Sequence, residues 1–469
     1  MAQFIGRQRE LEALEEIWKK PGFQMTVVYG RRRIGKSALL REFAKGRKAF
    51  FFSATETSAH SNFEQFCEEL FASLLPEDER LDLASYDSAF RLLGRACRKE
   101  RVAVIIDELP YLTRLDKGLL PLLQKFVDTE WAQTEMHLIV CGSSVNFVED
   151  VLGDRDAFLG RRTSQLEVKP FDFFDSARFV PGYTPEEKVV VYGVTGGLSS
   201  YLSAFDERLT LRENLVRLFF NEHGYLYNEA GFLTAREFRN ASFCNAIIGA
   251  VAAGKSRITD IAEATRMEQS AVVHAASSLV GLGILEKRSP VTEEENRKKV
   301  RYAVKDGMQR FWHRFVSRSI SRIESGEGER IFDEQVIPAL PAFMEPVFAA
   351  IAREYVQKLA REGWLAVSEH AVGSWWGVDP ATKSEVAIDL VALDPASGRA
   401  AAGACSFADA PVGEEALESL RRTARLLGPA CEVEQYLLFA KSGFAEEVLQ
   451  SAKEARVLPV TLADICRAG

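Results

Sequence analysis

The chain carries few of the marks of an exported, membrane-inserted or metal-stapled protein. It opens Met1-Ala-Gln-Phe-Ile-Gly-Arg-Gln-Arg-Glu10 with no signal-peptide hydrophobic core, and no uninterrupted apolar run is long enough to cross a bilayer. A cytoplasmic protein with no membrane partner is the expectation. Its seven cysteines, Cys67, Cys97, Cys141, Cys244, Cys405, Cys431 and Cys466, are odd in number and none stands in C-x-x-C spacing. That excludes a disulfide framework or a zinc knuckle and leaves reduced, mostly buried thiols. Positive charge is in deficit, 59 Lys and Arg against 67 Asp and Glu for a net charge of −8, so the whole-molecule field does not attract nucleic acid. Any such contact has to come from a local basic face.

What remains is an ordinary globular composition, 47% hydrophobic and 27% charged over 469 residues, enough for several cores. A length of this kind predicts about three domains. The most informative segment is Gly30-Arg-Arg-Arg-Ile-Gly-Lys-Ser37, which follows the apolar Met25-Thr-Val-Val-Tyr29 and precedes the helix-like Ala38-Leu-Leu-Arg-Glu-Phe-Ala44. Strand, glycine loop and helix arrive in the order a nucleoside triphosphate site requires. Glycines let backbone N–H groups turn inward around phosphate, and the helix start adds its positive end. Lys36 reaches the β/γ-phosphates and the Ser37 hydroxyl ligates Mg²⁺, so Gly30, Arg33, Gly35, Lys36, Ser37 and Ala38 form the candidate nucleoside-triphosphate-binding set. A plain glycine-rich turn explains the glycines but not the Lys-Ser pair in this context.

A second buried strand, Arg101-Val-Ala-Val-Ile-Ile-Asp107-Glu108, ends in two carboxylates where a parallel sheet meets its ligand. Asp107 is expected to hold Mg²⁺ through water and Glu108 to prepare the attacking water. Acidic pairs at strand ends are often only solvated turn residues; the upstream phosphate loop favours the chemical reading. A third strand, Met136 to Gly142, runs into Ser143 and Ser144, which either sense the γ-phosphate or cap the following helix, 145–150. Arg161 and Arg162 are candidates to supply charge to the transition state, in their own site or a neighbouring subunit's, against the plainer role of solvated arginines.

Phe4-Ile-Gly-Arg7-Gln-Arg-Glu10, Ile106-Asp107-Glu108-Leu-Pro-Tyr-Leu and Cys141-Gly-Ser143-Ser144 together resemble the archaeal-type ATPases of the STAND branch of AAA+-like P-loop proteins. The resemblance implies that Arg7 and Glu10 lie on the nucleotide side. Read alone, residues 8–18 are an amphipathic helix with Leu11, Leu14, Ile17 and Trp18 toward a core. The resemblance also implies a helical lid, in which Gly196-Gly197-Leu-Ser199 stands where the family has Gly-Gly-x-Pro. The glycines alone mark helix breaks.

Residues 237–305 read as three short helices and a hairpin, the order of a winged helix-turn-helix. Its third helix offers Gln269, Ser270 and His274, and its wing carries Lys287, Arg288, Arg297, Lys298, Lys299 and Arg301. Eleven Lys and Arg against eight Asp and Glu make this stretch locally basic, with Glu293-Glu294-Glu295 inside the wing. Duplex DNA is one candidate partner; protein docking, self-association or a spacer role is the other. The tail, 311–469, resembles the family's C-terminal domain, which is similar to PD-(D/E)XK nucleases, with Glu345 and Asp389 at two acid positions and Trp375-Trp376 matching an aromatic pair. Where that chemistry requires Glu-x-Lys the chain has Ala404 and Ser406, which argues against phosphodiester hydrolysis.

The expectation is therefore an α/β multidomain protein: a P-loop parallel-sheet ATPase core over 1–170, a helical lid over 171–236, a winged helix-turn-helix over 237–310 and an inactive restriction-endonuclease-like domain over 311–469. ATP hydrolysis with Mg²⁺, coupled to DNA or protein binding, is the leading function. A DNA-binding transcriptional or defence regulator with negligible turnover and a metal-dependent nuclease are its rivals.

Overall fold

The computed structural model describes residues 4–75, 82–143, 158–238, 240–293, 295–363, 371–428, 431–454 and 456–468. Ser144, Glu294 and the helix expected at 145–150 lie outside them. The chain divides into two compact units: the first comprises Met1–Pro170 with Leu198–Ser200, the second Phe171–Gly197 with Tyr201–Gly469.

The first unit is a parallel sheet flanked by helices. Its strands are β1 (Gln24–Tyr29), β2 (Ala49–Ser53), β3 (Val102–Asp107), β4 (Met136–Gly142) and β5 (Ser164–Glu167), in the order β2-β3-β4-β1-β5. Every neighbouring pair is parallel. All residues of β3 and β4 are buried, which explains why these strands read as continuous apolar runs without alternation. The helices are α1 (Gln8–Trp18), α2 (Lys36–Ala44), α3 (Ala59–Leu74), α4 (Tyr86–Ala96), α5 (Leu109–Leu115) and α6 (Leu119–Asp128). On α1, Leu14 and Ile17 are buried, whereas Leu11 and Trp18 are half-buried. One side of the core is aromatic: Phe66 meets Phe50 edge-on at 4.8 Å, and Trp131, fully buried, donates its indole N–H to the Phe90 carbonyl at 3.0 Å. On β4, buried His137 lies 2.9 Å from the Thr26 hydroxyl, and burial pulls its pKa down to about 3, so the ring is neutral.

The second unit begins with helices Phe173–Ala177, Pro185–Thr195, Leu211–Phe219 and Glu229–Glu237. Pro185–Thr195 starts in a capping box of Thr184 and Glu187 and ends at Gly196, whose φ of 61° is the left-handed conformation such an end takes. Next to it Gly197 (φ 71°) packs so closely that an added Cβ would stand 2.1 Å from the Phe171 carbonyl oxygen. The two glycines end a helix and admit a crossing backbone. Helices Ala241–Ala252, Ile258–Thr265 and Gln269–Gly281 follow, then an antiparallel hairpin of β6 (Leu285–Arg288) and β7 (Arg301–Val304). Ile247, Ile261, Val272 and Leu279 bury the side they share.

The last part is a sheet of β8 (Val372–Val378), β9 (Glu385–Leu393), β10 (Arg399–Ser406), β11 (Glu432–Ala440) and β12 (Val457–Thr461) in the order β12-β11-β10-β9-β8. β8, β9 and β10 pair antiparallel, β10, β11 and β12 parallel. Helix Leu340–Arg361 packs on β8, β9 and β10. Among the described residues, the run Ile320–Arg361 contains a window apolar enough by length and composition to cross a membrane, which the uninterrupted-run criterion misses. Its Met344, Phe348, Ile351, Ala352 and Val356 are buried.

From that helix the half-buried Glu354 accepts from the Tyr192 hydroxyl at 2.6 Å and the Phe173 N–H at 2.9 Å. Burial raises its pKa to about 7, with Asp172 adding to the rise and Arg353 opposing it. The folded state therefore holds a proton that the unfolded chain, with an ordinary glutamate, has released. This contribution is complete below about pH 4.5 and is lost as pH rises through about 7, on the order of 3 kcal/mol in full. Urea midpoints at pH 5 and pH 8 are expected to differ less in Glu354→Gln than in the parent; equal differences would assign the pH dependence to other groups.

Candidate functional site

The phosphate loop leaves β1 at Gly30 and enters α2 at Lys36. Gly30 (φ 152°) lies against β5's end, where a Cβ would meet the Val168 carbonyl oxygen at 2.4 Å. Gly35 (φ 93°) caps α2, and a Cβ there would stand 2.7 Å from the Ser199 hydroxyl. Gly30 is thus required by conformation and by space, and Gly35 by conformation. The first-turn N–H groups of Lys36, Ser37 and Ala38 have no acceptor within the helix, the usual anion seat of a helix start. Lys36 is 5% exposed, and its ammonium donates to the carbonyls of Gly30 and Arg31 at 3.0 Å each. These neutral acceptors hold the charge over the loop, ready for a stronger one.

Sheet order brings the carboxylates to this point. β4 lies between β1 and β3, so the ends of all three strands open on one edge. Asp107, 1% exposed, accepts from the Ser37 hydroxyl at 2.5 Å through Oδ2 and from the Glu108 N–H at 3.0 Å through Oδ1. A hydroxyl and a carboxylate oxygen facing each other suit Mg²⁺, which takes few protein oxygens and keeps water and phosphate for the rest. Among the described residues no cluster of three or more His, Cys, Asp or Glu is placed to hold a metal, so a metal here would have to share its shell with phosphate.

Glu108 has left-handed backbone, φ 54° and ψ 42°, a conformation costly for a residue with a Cβ. It turns the side chain off the strand axis to Ser143, whose hydroxyl lies 3.0 Å from both carboxylate oxygens. Ser143 is thus placed on Glu108. Cys141, beneath them on β4, is fully buried, and burial followed by the Asp107 charge holds its thiol protonated.

Arg7, 5% exposed and also left-handed (φ 67°), bonds Glu10 at 2.8 Å, the Lys169 carbonyl at 2.7 Å and the Ile34 carbonyl at 3.0 Å. It fastens the chain start and the end of β5 to the phosphate loop. Arg33 (φ 67°) is exposed, and its carbonyl accepts from the Ser199 hydroxyl and the Ser200 N–H, both at 3.2 Å. Ser199, where the resemblance leads one to expect proline, therefore still reaches the loop. Arg161 forms a fork on Asp128, Nε to Oδ1 at 2.6 Å and Nη2 to Oδ2 at 2.9 Å. Contacts missed in the sequence are those of Ser143 with Glu108, Ser199 with Arg33 and the Tyr111 hydroxyl with Arg32 at 3.0 Å. Partners 35 to 166 residues apart leave no local signal.

In the second unit, Gln269, Ser270 and His274 are exposed on helix Gln269–Gly281. Much of the hairpin's basic charge is already paired. Arg288 bonds Glu286, Lys299 bonds Glu293, and Arg301 and Arg257 both bond Glu385, at 2.8 and 2.5 Å. Arg301 also lies over the Trp376 ring at 5.2 Å, and that indole donates to the Lys299 carbonyl at 3.2 Å. Lys287 and Lys298 remain exposed. Trp375 and Trp376 are both buried.

In the tail, Asp389 accepts from the Cys405 N–H at 2.9 Å, and Glu345 from the Phe407 N–H at 3.0 Å. Burial raises both pKa values. The two carboxylates thus bind the backbone of β10's end, and Lys441 nearby is occupied by Glu186 and Asp409. Ala404 and Ser406 lie on β10.

Comparison with known proteins agrees with this geometry. Residues 4–205 match the family described as an ATPase domain predominantly from Archaea, and residues 312–419 match one described as archaeal and bacterial proteins of unknown function. The uncharacterized protein MJECL04 of Methanocaldococcus jannaschii is 30% identical over 393 residues, 83% of this chain and 84% of that protein. The uncharacterized ATP-binding protein MJ0423 of the same organism is 38% identical over 48 residues, 10% of this chain and 81% of its own length. Among solved structures, the Walker-type ATPase PABY2304 of Pyrococcus abyssi aligns with a TM-score of 0.50 at 20% identity, covering 66% of this chain and 96% of that one. With a parallel sheet that gathers a phosphate loop and two carboxylates on one edge, and a relative matched over most of both lengths, the chain belongs to the archaeal-type P-loop ATPases.

Proposed function

We propose that this protein binds ATP with Mg²⁺, hydrolyses it, and uses the nucleotide state to control binding by its second unit. The observation that carries the reading is the convergence of Lys36, Ser37, Asp107 and Glu108, with Ser37 on Asp107 at 2.5 Å and Glu108 held by Ser143 at 3.0 Å. In this reading Gly30, Arg33, Gly35 and the α2 N-terminus enclose the phosphates and Arg7 braces that loop. Ser37, and Asp107 through water, would hold Mg²⁺, which would supply neutralisation of the phosphate charge. Lys36 exchanges its carbonyl partners for phosphate oxygens. Glu108 orients and polarises the attacking water, and Ser143 sets its direction; through that hydrogen bond Ser143 reports on the γ-phosphate indirectly. Arg161 enters the reaction only by leaving Asp128.

The second unit is then a helical lid, a winged helix-turn-helix and a nuclease-like domain without nuclease chemistry, acting in the cytoplasm. Asp389 and Glu345 serve as anchors for β10. If duplex DNA is the partner, the exposed helix Gln269–Gly281 supports the contact better than the wing, whose Arg288, Lys299 and Arg301 are neutralised within the chain. Phosphate release by the purified chain with Mg²⁺, with and without duplex DNA, tests the reading. Turnover that DNA raises is expected, and absence of Mg²⁺-dependent turnover in both conditions would reject hydrolysis. A gel shift by the full chain that survives Lys298→Ala and fails in the Gln269→Ala/His274→Ala double variant would place DNA on the third helix; the reverse would return it to the wing.

A further inference from the structure

The second unit holds a half-open cavity of about 390 Å³. Its walls come from the end of helix Ala241–Ala252, the β6–β7 hairpin, the helical turn at 310–314 and the start of helix Leu340–Arg361. Three arginines line it, Arg288, Arg310 and Arg314, and among the described residues no carboxylate does. The nearest counter-charge identified, Glu286, is engaged by Arg288 at 2.7 Å. Arg310 stacks on the Phe343 ring at 4.2 Å, and its Nη2 is buried with no hydrogen-bond partner.

That orphan is informative. A guanidinium remains charged in proteins, and a buried charged donor without an acceptor is among the costlier defects a fold can carry. Burial, and then the charge of Arg288, pull the Arg310 pKa down to about 10, which still leaves it a cation at neutral pH. With Arg288 paired to Glu286, Arg310 and Arg314 are the two cations left at this hollow among the described residues, an unfinished ion arrangement. A phosphate group completes it, because its oxygens accept the paired N–H donors of guanidinium in a planar fork. The remaining wall is of another kind: Val251, Ala342, Phe343 and Pro346 are apolar, and Tyr302 adds a ring with a hydroxyl. A cavity with a cationic end and an apolar side, of a volume ordinary for small ligands, suits a compact organic phosphate better than a bare ion or a polymer.

We propose that this cavity is a binding site for a small organic phosphate, with Arg310 and Arg314 taking the phosphate and Phe343 and Tyr302 flanking the organic part. Because its walls belong both to the three-helix segment and to the helix that carries Glu345, an occupant bridges the two and biases their arrangement. The site is independent of the phosphate loop, and its ligand is an input separate from ATP.

Isothermal titration of the full chain with phenyl phosphate, in the absence of nucleotide, tests this. One saturable site is expected, weakened at least about tenfold in Arg310→Met and in the cavity-filling Ala342→Phe, and preserved in Lys36→Ala. Inorganic phosphate is expected to bind at least about tenfold more weakly than phenyl phosphate. Should either cavity variant fail to fold, the exposed Arg314→Met carries the same expectation. The proposal is overturned by absence of saturable binding, by binding that the folded cavity variants retain, by loss of binding in Lys36→Ala, or by equal affinity for inorganic phosphate.

Discussion

Glu108→Gln is expected to bind ATP within a few-fold of the parent and to lose hydrolysis by about 10²–10³-fold, the loss typical of removing a positioned acid–base group. The substitution is nearly isosteric, and the amide oxygen still accepts from Ser143, so the left-handed turn and the Ser143 contact at 3.0 Å persist. What disappears is the negative charge that draws a proton from the attacking water. Ground-state binding rests on other groups, the Lys36 ammonium and the loop N–H donors, which this change does not touch. Single-turnover phosphate release beside equilibrium nucleotide titration separates the two effects. Hydrolysis at the parental rate would move water activation to another residue and leave Glu108 as a capping residue of α5.

Lys36→Ala is expected to weaken ATP binding itself, at least about 30-fold, because removing a desolvated charged partner of phosphate costs roughly 2–5 kcal/mol. Lys36 is buried to 5% exposure over the loop, and its only partners identified there are the two carbonyls at 3.0 Å. Losing two hydrogen bonds to neutral acceptors at the edge of a loop leaves the sheet and α2 intact, so the variant should keep the parental circular dichroism spectrum. Parental affinity in a folded Lys36→Ala would show that the loop's backbone donors and the helix start suffice, and would remove the ammonium from the binding site. With Glu108→Gln, the pair distinguishes a protein that cannot hold ATP from one that holds it without turning it over.

Local pattern carried much of the first unit. An apolar strand, a glycine loop and a helix are consecutive in the chain, so Gly30, Gly35, Lys36 and Ser37 are legible as a phosphate loop without tertiary information, and Asp107-Glu108, a common strand ending by itself, is legible as its partner only because that loop stands upstream. The residues that organise the site were harder to read. Ser143 faces Glu108 only because β4 is inserted between β1 and β3, and Arg7 reaches Ile34 and Lys169 only after the N-terminus folds back along the loop. Ser199 looked like the loss of a family proline, yet its hydroxyl meets the Arg33 carbonyl.

The second unit shows the same division. Helical periodicity and strand runs located its elements, and Ala404 and Ser406 argued against nuclease chemistry without any structure. The basic wing, however, looked available in the sequence because a run of Lys and Arg states its charge but not its partners. Folding sets Glu385, more than eighty residues away from Arg301, against two of the unit's arginines and closes Trp376 over one of them. The cavity around Arg310 likewise has walls drawn from four stretches of chain, none remarkable alone. Chemistry whose residue types must be contiguous, such as a phosphate loop, is written in the order of the chain. Pairing of charges, satisfaction of buried donors and the shape of a cavity depend on which distant segments fold into contact, and those the tertiary structure alone decides.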